Sequence, residues 1–204
     1  MAKVTLSVAE MNLVTNQEFI LTKNEIIQKI YLLFGELNNF YKNELSSIKN
    51  IPDYILHSNP KIYKGENYNL MPWVMLDYPK HFTKNEMFAI RTFFFWGNFM
   101  SINLQVQGTL VNKLKKVLLK NTFLLKDWFI CIHESPWEHE FLPNNFIEIS
   151  KLNTSELERL KFIKIAKKIP LQEWDNIEIF LKENFMMLSF LMKEINFQDD
   201  EIIL

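Results

Sequence analysis

The chain has 204 residues, of which 48% are hydrophobic and 23% charged, and its net charge is −1. At this length a folded chain hides roughly 70% of its unfolded surface, so one domain can stand without a metal or disulfide staple. A near-neutral balance gives no field toward nucleic acid or anionic lipid, and the single cysteine, Cys131, excludes an internal disulfide framework. Apolar runs fall short of the ~20 residues of a membrane span, and "MAKVTLSVAEMNLV" lacks the apolar centre of a secretory signal. A cytoplasmic protein with neither a membrane nor a nucleic-acid partner is the expectation.

Ser7 and Glu10 form a capping box that opens a short first helix. A longer helix is predicted after Thr22, where Ile26, Ile27, Ile30, Tyr31, Phe34, Leu37 and Tyr41 recur at helical spacing. Gly35 within it costs ~1 kcal/mol against alanine, which predicts a close packing contact there. Residues 46–60 read as a surface connection, and "KIYKGENYNLMPWVMLDYP" as a hairpin turning at Gly65 and ending at Pro79.

Thr83 and Glu86 look like another box, starting a short helix that carries Met87, Phe88 and Ile90. "RTFFFWGNFMSINLQVQG", residues 91–108, reads as one strand. Its first half is apolar on both faces and its second half on one, as in a strand running from between two layers onto an open sheet face. Thr109 to Asn121 forms an amphipathic helix with Leu110, Val111, Leu114, Val117 and Leu118 inward. Lys113, Lys115, Lys116 and Lys120 lie outward on it, a solvated face rather than a nucleic-acid surface. "WFICIHE" is a buried strand, "SELERL" a helix capped by Thr154 or Ser155, and "KFIKIAKKIP" fits strand and helix equally. Residues 171–195 make a helix apolar around more than half its circumference.

The fold expected is a single α+β domain over 1–204. Its antiparallel meander of about four to five strands (61–170) packs against an N-terminal helical segment (1–45) and a closing helix (171–195).

"CIHESPWEHEF" holds the densest chemistry. His133, His139 and Glu138, with His81 of "DYPKHF", are the residue types that bind a first-row divalent metal. The two loop histidines match no helical or close-turn metal spacing, and Pro136 splits their local frames, so a solvated acidic loop is the competing reading. Asp77 ends an apolar run and needs a partner if buried; Arg91 is its natural bidentate mate. Cys131 reads as a small buried hydrophobe, and Ser101 and Ser135 lack nucleophile-elbow surroundings. No P-loop or dinucleotide fingerprint is present.

The surplus of large apolar side chains points to a binding or interaction protein. An aromatic-lined pocket between the sheet and the closing helix is expected to take a small-molecule ligand, with Asp77, Arg91, Trp96 and His133 around it. A second copy or another protein is expected to cover the remaining apolar surface. No cofactor is expected. The alternative is a metal-dependent hydrolase using His81, His133, His139 and Glu138.

Overall fold

Capping chemistry sets the N-terminal helices. In this computed structural model, which describes residues 4–49 and 51–197, Ser7 caps α1 (Val8–Val14) with the reciprocal Glu10 bond. Asn16, not Thr22, caps α2 (Gln17–Ser46) through Phe19 N at 3.0 Å. The 46–60 connection is less superficial than its composition implies: it holds the one-turn α3 (Asp53–Leu56) and buries Ile48, Ile51 and Ile55.

Seven strands follow: β1 (Lys61–Tyr68), β2 (Met71–Phe82), β3 (Met87–Phe95), β4 (Phe99–Gln107), β5 (Phe129–Cys131), β6 (Phe146–Glu148) and β7 (Phe162–Pro170). They form one sheet in the order β1-β2-β3-β4-β7-β5-β6, with every neighbouring pair antiparallel. The first four are the expected meander, but the sheet exceeds four to five strands because β7 pairs with β4 and carries the short β5–β6 hairpin on its far side. Between β4 and β7 lie α4 (Leu110–Lys120) and α5 (Thr154–Arg159); the chain closes with α6 (Ile177–Glu194). Residues 171–176, expected as the start of the closing helix, form a tighter 3-10 turn ahead of it.

Three local expectations change. The first hairpin turns at Asn69 and Leu70, both with positive φ, and Gly65 lies inside β1. The Thr83–Glu86 pair makes a tight turn rather than a helix start. Thr83 Oγ accepts from Glu86 N at 3.0 Å, as in a cap, but the Glu86 carboxylate reaches across to Thr109 N at 3.1 Å. The same hydroxyl-to-amide bond serves turns and caps alike. The expected long strand is a hairpin, β3 and β4, reversed at Gly97, whose φ of +71° favours glycine. Asn153, one residue ahead of the expected position, caps α5.

One sheet face is covered by helices. Leu76, Phe94, Ile102, Leu104 and Ile165 pack there with Phe34, Leu37 and Tyr41 of α2 and with Leu181, Phe185 and Leu188 of α6. The Tyr41 ring stacks on Phe185 at 3.7 Å and its hydroxyl reaches Thr92 Oγ at 3.0 Å. Leu110, Val111, Leu114, Val117 and Leu118 of α4 are buried, and so is Lys115, expected outside, whose Nζ donates to the Glu158 carbonyl at 2.8 Å.

The opposite face is not open. Residues 132–145, between β5 and β6, fold back over it as a clasp whose base is closed by Ile132 N to Asn145 O at 2.9 Å. Ser101, Asn103 and Gln105, expected on a solvated face, are therefore buried.

Candidate functional site

The clasp-covered face carries a charged row across the sheet. Asp77 and Arg91 are direct cross-strand partners in the β2–β3 register, and Asn103 continues the row on β4. Arg91 grips Asp77 bidentately, Nε to Oδ1 at 2.8 Å and Nη2 to Oδ2 at 3.1 Å, and both side chains are almost fully buried. Tyr63 of β1 donates to Asp77 Oδ2 at 2.8 Å, while Arg91 Nη1 donates to Gln105 Oε1 at 3.4 Å. The pair is thus held in a polar network, the arrangement a buried ion pair needs to offset its desolvation. Burial pushes the Tyr63 phenol up from its ordinary value, so it stays protonated as a donor.

Trp137 of the clasp lies over the guanidinium at 4.8 Å and Phe82 lies at 5.5 Å, so two aromatic faces meet the cation. Next to Arg91 opens a cavity of about 230 Å3, walled by Tyr63, Tyr68, Trp73, Met75, Phe93, Trp137 and His139. Trp73 stands edge-on to Tyr63 with ring centres 5.5 Å apart, and its indole crosses β1 over Gly65. A Cβ at Gly65 would sit 2.6 Å from that indole, so the glycine allows this wall its position.

His139 is buried, its ring stacked on Phe93 at 4.7 Å and its Nδ1 3.2 Å from Lys164 Nζ. Burial, with Lys164 and Arg91 nearby, holds its pKa well below the usual value, leaving the ring neutral. Lys164 of β7 is buried too and is pushed down to about 7, mainly by burial and further by Arg91. Its ammonium has three acceptors: the Pro136 carbonyl at 3.1 Å, the Glu138 carbonyl, and His139 Nδ1. With Gln105 Nε2 donating to the same Pro136 carbonyl at 2.9 Å, the sheet holds the clasp by its backbone.

Glu138 accepts from the Tyr68 hydroxyl at 2.5 Å and from Glu140 N at 2.9 Å. Burial alone raises its carboxyl, but the bonds from Tyr68 and from the Glu140 and His139 amides outweigh that and keep it below the usual carboxylate range.

The expected residues divide between the two faces. Asp77 and Arg91 meet, and Arg91 lines the cavity. Trp96 does not join them: it follows β3 at the hairpin turn and packs edge-on to Phe94 on the helical face, 6.0 Å away. His133 folds into its own loop, Nδ1 accepting from Ser135 N at 3.0 Å, and does not line the cavity. His81 lies across from Phe88 and against Tyr54 of α3, 4.4 Å away, on the side opposite His139. His81, His133, His139 and Glu138 therefore do not assemble, and no three His, Cys, Asp or Glu side chains form a metal-holding group among the described residues. The expected pocket between sheet and closing helix is filled by Phe185, Leu188 and their neighbours, and the cavity is on the other face. Cys131 is fully buried, and burial pushes its thiol up, so it packs as a small apolar group.

Sequence reasoning missed Tyr63, Tyr68 and Lys164. Lys164 shares strand parity with the buried Phe162, the one signal that placed it inward.

The chain matches no protein-family model, no curated protein and no solved structure, so geometry alone carries the functional reading. Among the described residues, no helix is long and apolar enough to cross a membrane.

Proposed function

We propose that the protein is a binding protein whose cavity beneath the clasp takes a small flat ring bearing a hydrogen-bond acceptor. The observation that supports this is an aromatic-walled cavity set against a buried, already neutralised ion pair. At about 230 Å3 it is smaller than the roughly 300–1,000 Å3 of pockets for drug-sized ligands, which suits one ring or two fused ones.

Proton accounting selects the acceptor. Tyr63 directs its proton to Asp77, and Tyr68 directs its own to Glu138. Arg91 has five N–H groups, and its bonds to Asp77, Tyr63 and Gln105 use four. One Nη1 proton remains. With Nδ1 of His139 accepting from Lys164, the neutral ring carries its proton on Nε2. None of the lining residues is acidic, so the cavity offers donors and aromatic faces. A carbonyl on a flat ring answers both.

Titrations followed by NMR shifts of the indole N–H signals test the reading with three probes. Benzamide should bind, cyclohexanecarboxamide should bind several-fold more weakly for want of a ring, and benzylammonium should not bind. Gly65→Ala should weaken benzamide at least fivefold by displacing the Trp73 indole. Equal binding of benzylammonium and benzamide, or no shift at Trp73 and Trp137 with benzamide, would overturn it.

A further inference from the structure

The ring cavity has a neighbour on the same face of the sheet. A second opening of about 250 Å3 is lined by the 83–87 turn with Phe82, Gln107 and Trp137, and Trp137 also walls the first cavity. On the clasp side of β3 the residues run Phe93, Arg91, Ala89, Met87. Phe93 and Arg91 line the first cavity and Met87 the second. The two are lengths of one groove. The Trp137 indole divides them, resting on the Arg91 guanidinium and tilted against Phe82 with ring centres 6.3 Å apart.

Trp137 is also the most exposed wall of the ring cavity, at 53%. Ring contacts hold its indole, and its hydrogen bond is from the backbone N to Ser135 Oγ at 3.3 Å. The backbone on either side is pinned, the Pro136 carbonyl by Gln105 and Lys164 and the Glu138 carbonyl by Lys164. Turning the Trp137 side chain therefore opens the groove while the clasp stays in place and Arg91 keeps Asp77. Joined, the two lengths reach the roughly 300–1,000 Å3 of pockets for drug-sized ligands, which neither reaches alone.

The second length is polar where the first is aromatic. Lys84 and Glu86 cancel in charge, and the Glu86 carboxylate is taken up by the Thr109 amide and hydroxyl. Gly108 leaves room for that carboxylate, which a Cβ would strike. The Asn85 and Gln107 side chains each bring an amide donor and acceptor, the complement of an uncharged polar group. A carbonyl held by Arg91 lies against the indole, so a chain continuing from it enters the second length. Arg91 to Met87 is roughly 13 Å of strand. A tail two residues long supplies roughly 7 Å, and the side chains of the second cavity reach the rest of the way.

We infer that Trp137 is a movable partition and that the ligand is an aromatic carbonyl compound whose short, uncharged polar tail passes it into the second cavity. This rests on the ring-binding reading of the first cavity.

Titrations of the full chain, followed at the Trp73 indole N–H signal, test it with three amides. They are benzamide, benzoylglycylglycinamide, and N-hexylbenzamide, whose tail has the same length without polar groups. The glycylglycinamide should bind roughly tenfold more tightly than benzamide, as one or two net hydrogen bonds supply, and more tightly than the hexyl amide. Trp137→Ala takes a wall from the ring in every case, so benzamide should weaken. The affinity ratio of glycylglycinamide to benzamide should nevertheless rise at least threefold, because no indole has to turn. Gln107→Ala, which keeps the indole, should lower the same ratio at least threefold. If benzamide does not bind, the ring reading falls and this inference with it. If benzamide binds but the glycylglycinamide binds no tighter, or the hexyl amide binds as well as it does, or neither substitution moves the ratio, the partition alone is overturned.

Discussion

Gly35 and Gly65 show how one missing Cβ can mean opposite things. Helical spacing around Gly35 predicts a close contact, yet open space lies where its Cβ would be. Gly35→Ala should therefore stabilise the protein by about 0.5–1 kcal/mol, since alanine loses less backbone entropy in a helix interior and meets nothing there. Urea unfolding midpoints of the two proteins check this; a lower midpoint in the variant would mean that a neighbour closes on that site. Gly65, which reads from sequence as a turn, instead makes room for the Trp73 indole. Asp77 and Arg91 were legible as a pair, because two charges in apolar runs need each other. Lys164 was not, since a lysine among lysines in "KFIKIAKKIP" reads as solvated, and only the clasp from another part of the chain covers it.

Elements were legible where periodicity decides and obscure where a turn does. The residues from Arg91 to Gln107 divide between two sides as their alternation predicts, although they form two strands and the side expected to be solvated is buried. The hairpin pairs Phe95 with Phe99 and Phe94 with Met100, always odd with odd and even with even, so folding it open or closed leaves each side chain on the same side. The clasp was illegible for the converse reason: residues 132–145 have no period, and their position follows from bonds to β4 and β7.

Those bonds make stability depend on pH. His139 has a folded pKa well below 6.5, so as pH falls through 6.5 the unfolded chain takes up a proton that the folded one refuses, and stability drops. Lys164 has a folded pKa of about 7 against an ordinary value of 10.5, so between these the unfolded chain holds a proton the folded one has shed. Stability therefore rises with pH above 7. Both groups act in the same direction until about pH 9, where the raised Cys131 thiol begins to oppose them. Tm should climb by roughly 3–6 °C between pH 7 and pH 8.5. Lys164→Met should flatten that rise and His139→Phe the limb below it. A Tm level across the range in the parent protein would show that Lys164 keeps its proton at pH 8.5, its three acceptors offsetting its burial.

At the scale of the whole molecule, the sheet divides two kinds of interior. Helices seal one face with aliphatic and aromatic side chains, and the clasp seals the other over ions, amides and rings. The α+β class and the early meander followed from the order of elements, but the insertion of β7 beside β4 did not, because no local pattern encodes which distant strand fills an edge. Helix α1 stands outside both interiors. Since α1 buries nothing against its own chain, removing residues 1–15, which leaves the Asn16 cap of α2 in place, should leave the body's sheet and core unchanged. The truncated chain should melt within about 2 °C of the parent, a difference of roughly 0.5–1 kcal/mol at most for a protein of this size. A truncated chain that melts many degrees lower would place the side chains of α1 in the body's own core.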